Sequence, residues 1–322
     1  GGEKYASSKL LIASGSEAIV PPIPGVERAL PLRTVEDMDA MIGRVAENPR
    51  HVTVIGGGFI GVEVAENLRH KDVPVTLVEA ATQVLAPIDP EMVKTVEDVM
   101  VRNGIDLRLK VQATGILEGA SSDGESAAST PTGDLAFTVT LSDGSTIPTD
   151  LVVLAIGVRP DTGLAKTAGL TIGTRGGVVT DEFHRTSVPN IYAIGDAAEK
   201  VDALDGSAAL VPLANIANRQ GRVVADHIAG LTPRVVPAQV TAIVKVFNLA
   251  VASTGWNEKR LQAAGRKYTA IHTHPGSHAG YYPGQELMML KLLVDPETQQ
   301  ILGAQGVGGE GVDKRIDVIA TA

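Results

Sequence analysis

The hydrophobic positions of this chain form short apolar runs that alternate with stretches of helical spacing. Strand-like runs occupy residues 9–14, 51–55, 75–79, 105–109, 111–117, 135–141 and 150–156. A glycine-rich turn and the start of a helix stand between the runs at 51–55 and 75–79. Strands that alternate with helices in this way predict βαβ units and a parallel sheet. We therefore expect an α/β fold.

Two helices can be placed by the polar residues at their starts. Thr34 precedes acids in a first turn, and Asp89 precedes a helix that extends to about Arg102. Thr and Asp are favoured N-caps, and acids in the first turn suit the helix dipole. We expect Met92, Val96 and Val99 of the second helix to point inward, and one face of the first helix to carry Val35, Met38, Met41, Ile42 and Val45.

Two further segments complete the organisation. Residues 119–133 have no hydrophobic period and predict a mobile hairpin loop. Residues 241–308 contain strand-like runs at 242–247, 287–294 and 301–304 and a helix near 257–264, which predict an α+β unit. The chain begins without Met and ends within a helical pattern, so we expect it to be an internal piece of a longer protein.

The turn after residue 55 has the spacing of a dinucleotide-binding fingerprint. Gly56, Gly58 and Gly61 form G-x-G-x-x-G, and Glu79 ends the next strand 21 residues after Gly58. In such a turn the first glycine permits the tight bend, the second admits a pyrophosphate, and the third lets the helix pack closely. An acid at this distance meets the ribose hydroxyls. The alternative is a purely structural glycine turn.

A second motif extends from Thr186 to Asp196, with the pattern T, six residues, A-x-G-D. It predicts a buried strand over 191–194, a tight turn at Gly195, and Asp196 at the mouth of a following helix. There the carboxylate can accept hydrogen bonds from a sugar-like chain, and the helix N–H groups can face a phosphate. The alternative is an ordinary Asp N-cap.

Composition excludes several classes of function. The net charge of −9 argues against a nucleic-acid binder, and the longest apolar runs are too short to span a bilayer. The chain has no cysteine, so this piece cannot carry a redox dithiol, a disulfide or a Cys-zinc site. His272, His274 and His278 cluster, but no H-E-x-x-H pattern or acid accompanies them, and we expect no metal.

The motifs together resemble the flavoprotein pyridine nucleotide-disulfide oxidoreductases, within the branch of coenzyme A-disulfide reductases, NADH oxidases and persulfide reductases. The matching stretches are residues 11–15, 56–63, 154–160, 186–196, 211–221, 241–248, 277–284 and 311–317. Ser14 stands where relatives usually have Thr, and Asn215-Ile216 replaces a common Gly-Pro or Trp-Gly. Neither change disturbs a charge or a glycine-dependent turn.

The resemblance implies three domains. Residues 1–30 and 159–232 would form the rear portion of an FAD-binding domain, and residues 31–158 an inserted Rossmann-like NAD domain. Residues 235–322 would form an incomplete α+β dimerisation domain. The first FAD fingerprint and the redox cysteine are expected before residue 1.

The resemblance also implies a function, in which electrons pass from NADH through FAD to a disulfide or persulfide such as CoA-disulfide. The implied cofactor-binding residues are Gly56, Gly57, Gly58, Phe59, Ile60, Gly61, Glu79, Gly157, Gly195, Asp196, Pro212, Leu213 and Ala214. Glu63 would lie near the nicotinamide, and Asn218, Tyr281 and Tyr282 near a CoA-type substrate, the tyrosines across a homodimer. No role is assigned to Lys314 or Arg315.

Each of these roles has a plainer alternative: Glu63 as a solvated helix residue, and the tyrosines as interface packing. Two other functions also stay open, an NADH oxidase that reduces oxygen and, for this piece alone, a non-catalytic NAD-binding dimer module. A cytoplasmic location without nucleic-acid or membrane partners is expected.

Overall fold

The computed structural model describes residues 2–119 and 135–322. The chain divides into two compact units: a smaller unit of residues 1–17 and 158–240, and a larger unit of residues 18–157 and 241–322. The loop predicted at residues 119–133 lies outside the described residues, apart from Gly119. The three domain boundaries inferred from the resemblance stay a prediction.

The secondary structure contains short strands and seven α-helices within the described ranges. The strands are β1 (Leu10–Ile12), β2 (Ser16–Ala18), β3 (Leu30–Pro31), β4 (Val52–Ile55), β5 (Val75–Glu79), β6 (Ile105–Leu109), β7 (Ala113–Glu118), β8 (Phe137–Leu141), β9 (Thr146–Thr149), β10 (Leu151–Leu154), β11 (Val158–Pro160), β12 (Ile191–Ala193), β13 (Lys200–Val201), β14 (Ala208–Ala209), β15 (Thr241–Val246), β16 (Leu249–Gly255), β17 (Thr269–Thr273), β18 (Met288–Val294) and β19 (Ile301–Gly308). The helices are α1 (Val35–Ala46), α2 (Phe59–Arg69), α3 (Pro90–Arg102), α4 (Gly163–Thr167), α5 (Ala214–Ile228), α6 (Glu258–Ala263) and α7 (Val312–Thr321). Within residues 2–119 and 135–322, no helix combines the length and hydrophobicity that a bilayer crossing requires.

A five-stranded parallel sheet forms the first part of the larger unit. Its strand order is β3-β10-β4-β5-β6, and every residue of β4 and β10 is buried. Strands buried on both faces form continuous apolar runs, which explains why they are visible in the sequence. The predicted βαβ unit at 51–79 and the strands at 105–109 and 150–156 are confirmed. The runs at 111–117 and 135–141 are also strands, but they pair antiparallel in a separate sheet, β7-β8-β9.

An antiparallel sheet of order β15-β16-β19-β18-β17 forms the second part of the larger unit. Val312 and Ile316 of α7 are buried against it. Strands β16 and β17 were not predicted from the sequence. β16 is a buried central strand made largely of small residues, and β17 exposes four of its five residues, so neither shows an apolar alternation.

Helix α1 begins as predicted, and its apolar face is only partly buried. Thr34 and Asp37 form a reciprocal capping box at its N-terminus. Met41 and Val45 pack against the core, whereas Val35 and Ile42 remain 74% and 57% exposed. The adjoining core therefore covers only part of the apolar face of α1. The face predicted for α3 is buried at Met92, Val96 and Val99.

The smaller unit contains a parallel strand pair, β1 and β12, with Ile12 opposite Ala193. The predicted strands near residues 9–14 and 191–194 are confirmed. Ala165, Leu170 and Val178 pack with this pair in a small core. Helix α5 lies in the same unit and buries Gln220, Val223 and Val224.

A buried ion cluster connects the two parts of the larger unit. The Lys291 ammonium of β18 lies 2.8 Å from the carboxylate of Asp89 and 2.7 Å from that of Glu258, and it also pairs with Glu91. Asp89 further accepts hydrogen bonds from the Gln305 amide (2.7 Å) and the Glu258 backbone N–H (3.1 Å). Burial alone would lower the pKa of Lys291, but its hydrogen bonds to Asp89, Glu258 and Glu91 raise it.

This cluster corrects the predicted role of Asp89. The residue has the backbone position of the α3 N-cap, but its side chain makes no capping hydrogen bond. The carboxylate turns instead toward Lys291, 202 residues away in the sequence. A local capping rule cannot anticipate so distant a partner.

We expect Lys291→Met to reduce the free energy of unfolding by about 3–5 kcal/mol, because it leaves the buried Asp89 carboxylate without its cation. Urea unfolding of the chain measures the loss. Lys245→Met is the matched control, since Lys245 is an exposed lysine on β15, and its effect should stay within about 0.5 kcal/mol. Equal effects of the two substitutions would contradict the role assigned to the cluster.

Candidate functional site

The turn after β4 is fixed by two close backbone approaches. Gly56 has a φ of +111°, and a Cβ atom there would lie 2.4 Å from the carbonyl oxygen of Ala155. A Cβ atom on Gly61 would lie 1.9 Å from the carbonyl oxygen of Gly56. A side chain at Gly56 would push the turn away from the segment after β10, and one at Gly61 would push α2 away from the end of β4. The tight turn and the close helix–strand packing predicted for these glycines are both present.

Gly58 lies in open space at the N-terminus of α2. No described atom is within 4 Å of the position that a Cβ would take there. Gly58 is the exposed N-cap of α2 and has no side chain that could cap the helix. The N–H groups of the first turn, which begins with Phe59 and Ile60, are therefore not capped by it. Free N–H groups and the positive end of the helix dipole attract phosphates. The backbone here can therefore approach a pyrophosphate without steric hindrance.

Glu79 is joined to the same turn by two hydrogen bonds. One carboxylate oxygen accepts a bond of 2.6 Å from the Gly57 N–H, and the other accepts one of 2.6 Å from the Ala81 N–H. A carboxylate offers about four acceptor positions, so both oxygens retain capacity for sugar hydroxyls. The side chain is half-buried at the end of β5.

Gly157 follows β10, the strand beside β4, and adopts a φ of +110°. The glycine turn, Glu79 and Gly157 therefore follow or end neighbouring parallel strands at their carboxyl ends. In open α/β sheets, ligands bind outside this edge. The larger unit thus assembles the predicted dinucleotide residues at one edge.

Glu63 extends from the exposed side of α2, after the glycine turn. Partial burial raises the pKa of Glu63, and the Glu66 carboxylate raises it further. A carboxyl group with a raised pKa exchanges a proton more readily near neutral pH than an ordinary glutamate does.

The smaller unit holds the second predicted motif. Gly195 has a φ of +67°, and its N–H donates to the Gln220 side-chain oxygen at 2.9 Å. The Asp196 carboxylate is half-buried and accepts a hydrogen bond of 2.8 Å from the Ser16 hydroxyl. Asp196 lies in a single 3-10 turn, Gly195–Ala197. The expected α-helix does not follow, because the backbone becomes extended again at Ala198.

The helix of this region is α5, and its N-terminus contains the other predicted flavin residues. Leu213 is its N-cap and makes no side-chain capping bond, and Pro212 and Ala214 are exposed beside it. Asn218 is exposed in the second turn of α5. The same helix supplies Gln220 to the Gly195 turn.

Tyr281 and Tyr282 lie in the loop between β17 and β18, with exposed fractions of 85% and 64%. Their ring centroids are 5.3 Å apart. Arg315 of α7 donates a hydrogen bond of 3.1 Å to the Ser277 carbonyl oxygen at the start of this loop. Arg315, to which the sequence assigned no role, therefore anchors the segment that carries both tyrosines.

The three clustered histidines do not form a common site in the described residues. His272 lies 3.3 Å from a Glu91 carboxylate oxygen, and His278 contacts the carbonyl oxygen of Ala279. The described side chains that do converge like metal ligands are Asp89, Glu91 and Glu258. Lys291 already pairs with all three of these carboxylates.

Comparison with known families agrees with this geometry. Residues 1–221 match the pyridine nucleotide-disulphide oxidoreductase family, and residues 241–322 match the dimerisation domain of the same family. The chain belongs to this family.

Individual oxidoreductases of this family are similar over nearly the whole chain. An NADH oxidase of Methanocaldococcus jannaschii is 33% identical over 97% of this chain and 67% of its own length. A coenzyme A disulfide reductase of Staphylococcus aureus is 31% identical over 90% of this chain and 62% of its own length.

Two solved structures are also similar. The reduced Bacillus anthracis CoADR-RHD has a TM-score of 0.90 and 43% identity, with 98% of this chain and 55% of that chain covered. The NAD-dependent persulfide reductase from A. fulgidus has a TM-score of 0.90 and 34% identity, with 99% and 57% covered. This chain therefore spans little more than half the length of these two oxidoreductases.

Three residues that bond to the turn around Asp196 were not predicted from the sequence: Ser16, Gln220 and Lys200. Ser16 directly follows the matching stretch 11–15, and Gln220 lies within the stretch 211–221. Both could have been proposed from these positions. Lys200, which bonds to the same turn from inside the smaller unit, had no sequence signal.

We expect Gly56→Ala to destabilise the larger unit by about 1–3 kcal/mol, because it combines a positive φ with a backbone clash. NADH affinity, measured by titration calorimetry, should fall at least about ten-fold, since the turn would no longer present its N–H groups to a pyrophosphate. Gly43→Ala in α1 is the control, because no described atom lies within 4 Å of its Cβ position. That change should stabilise the chain by about 0.5–1 kcal/mol. Unchanged NADH binding by Gly56→Ala would contradict the assignment.

Proposed function

We propose that this chain provides the NADH site and part of the FAD site of an oxidoreductase that transfers electrons from NADH to a CoA-type disulfide or persulfide. The observation that carries the proposal is the carboxyl edge of the parallel sheet, where the open Gly58, the α2 N-terminus and Glu79 adjoin. The names of the similar proteins, coenzyme A disulfide reductase and persulfide reductase, support the substrate class.

The residues present fit both cofactors. Gly58 leaves room for a pyrophosphate, and Glu79 keeps acceptor positions for ribose hydroxyls. Asp196 can accept hydrogen bonds from the ribityl chain of FAD, and Pro212, Leu213 and Ala214 lead into an α5 N-terminus without a side-chain cap. When bound, the flavin would supply the electron-transfer chemistry, while the protein orients the reacting groups.

The remaining residues are assigned by resemblance. Glu63 would line the nicotinamide side, Asn218 would adjoin the CoA-type substrate, and Tyr281 and Tyr282 would contact it from a partner subunit. The exposure of both tyrosines is compatible with such a contact. The chain has no cysteine, so a redox thiol must come from outside these 322 residues. A cytoplasmic location stays a prediction.

NADH oxidase is the second candidate, supported by the similar protein of that name in Methanocaldococcus jannaschii. The same nucleotide-binding residues would serve both functions, which differ in the electron acceptor. A non-catalytic NAD-binding module is the third candidate for this chain in isolation.

Assays of NADH consumption by the whole protein would decide among these functions. We expect turnover with CoA-disulfide or a CoA persulfide under anaerobic conditions, and at least about ten-fold slower turnover with oxygen alone. Rapid NADH consumption that needs only oxygen would favour the oxidase. No turnover with any of these acceptors would contradict both enzymatic functions.

We expect the chain to prefer NADH to NADPH. The 2′-phosphate of NADPH would meet the Glu79 carboxylate, and the adjacent Ala80 and Ala81 offer no cation, so the repulsion would cost several kcal/mol. Titration of both nucleotides should give at least about ten-fold tighter NADH binding, and Glu79→Gln with Ala80→Arg should narrow or reverse this ratio. Glu47→Gln at the end of α1 should leave it unchanged. Tighter binding of NADPH by the unaltered chain would refute the preference.

We also propose a homodimer through residues 241–322, the region that matches the dimerisation domain. Exposed apolar side chains in this region, Ile243, Ile271, Leu287 and Val318, are available to be covered by a partner. Light scattering of the whole protein should give twice the mass of one chain. A stable monomer would remove the dimer and the cross-subunit role of the tyrosines.

A further inference from the structure

A buried lysine holds the turn that carries Asp196. Lys200 begins β13, and only 6% of the residue is exposed. Its ammonium donates hydrogen bonds to the carbonyl oxygens of Gly195 and Ala198, the second at 2.8 Å. Both carbonyls belong to the bend that begins at Gly195 and ends at Ala198.

The turn is therefore fixed by three side chains from different parts of the smaller unit. Gln220 of α5 accepts from the Gly195 N–H, Ser16 of β2 donates to the Asp196 carboxylate, and Lys200 donates to the two carbonyls. Gly195 is thus held at both its N–H and its C=O, in the left-handed conformation that directs the chain into Asp196.

The burial of Lys200 is unusual for a lysine. Lysine is almost never fully buried unless it is paired. Burial lowers the pKa of Lys200 to about 8, against the attraction of Asp196. His184 also interacts with Lys200: burial lowers the pKa of His184, Asp181 opposes this effect, and the Lys200 charge lowers it further. An apolar side chain of equal length would fill the space at lower desolvation cost. The ammonium adds donors that draw two carbonyls toward one point.

We propose that Lys200 is a positioning residue for the flavin: its ammonium fixes the Gly195–Ala198 turn in the conformation that presents Asp196 to the ribityl chain of FAD. This assignment rests on the proposed function. In this role Lys200 acts on the cofactor only through the turn, and it does not need to contact the cofactor. Loss of the Lys200 ammonium should lower the affinity for FAD clearly, with only a small effect on the stability of the fold.

The test compares FAD binding by the whole protein and its Lys200→Met, Lys200→Arg and Lys166→Met variants. Flavin is removed, and the dissociation constant is measured from flavin fluorescence on adding FAD back, at a temperature well below each unfolding midpoint. We expect Lys200→Met to bind FAD at least about ten-fold more weakly, because two charge-assisted hydrogen bonds are lost. Lys200→Arg keeps the charge and donors and should recover most of the affinity. Lys166 is exposed on α4 of the same unit, and its substitution should have no effect.

Hydrogen–deuterium exchange of residues 191–200 in the flavin-free protein gives a readout that does not depend on FAD. Exchange should accelerate in Lys200→Met and stay normal in Lys166→Met. Normal FAD affinity and normal exchange in Lys200→Met would overturn the assignment of Lys200. An unfolding midpoint that falls while FAD affinity is kept would overturn it too, since that is the result of a merely structural lysine. Failure of the unaltered whole protein to bind FAD would instead overturn the proposed function.

Discussion

The close approach of α2 to β4 is the constraint on which the candidate nucleotide site depends. The helix can begin so near the end of the strand because Gly61 has no Cβ atom to meet the Gly56 carbonyl oxygen, and Gly56 has none to meet the carbonyl oxygen of Ala155. As a result, the N–H groups of the first turn of α2 lie beside the open Gly58. The Gly57 N–H also lies within hydrogen-bond distance of Glu79. The glycine turn and Glu79, which the sequence spacing predicts, are therefore joined in the folded chain.

Two buried lysines show how differently a cation can be accommodated in one chain. Lys291 is surrounded by three carboxylates that raise its pKa, and it joins α3, α6 and β18. Lys200 has carbonyl oxygens as its hydrogen-bond acceptors, and burial lowers its pKa to about 8. The first arrangement holds the core of the larger unit together. We assign the second to the local shape of the Asp196 turn.

The parts of the fold visible in the sequence are those whose cause is local. β5 is a mostly apolar run and β6 alternates apolar with charged residues, and the glycine spacing places Gly56, Gly58 and Gly61 directly. The missed features depend on distant partners. Asp89 turns to Lys291 rather than to its own helix, and β16 is a strand because β15 and β19 flank it. Lys200 had no signal, since only the folded chain shows that its side chain is buried beneath the turn.

Anaerobic titration of the whole protein with NADH, followed by the visible absorbance of the flavin, tests the central claim most directly. That claim is the proposal that the Gly56 turn binds NADH and the Asp196 turn binds FAD in one oxidoreductase. We predict that bound flavin is bleached by a stoichiometric amount of NADH, and that its absorbance returns when CoA-disulfide is added. A protein without flavin, or a bound flavin whose absorbance NADH leaves unchanged, would contradict it.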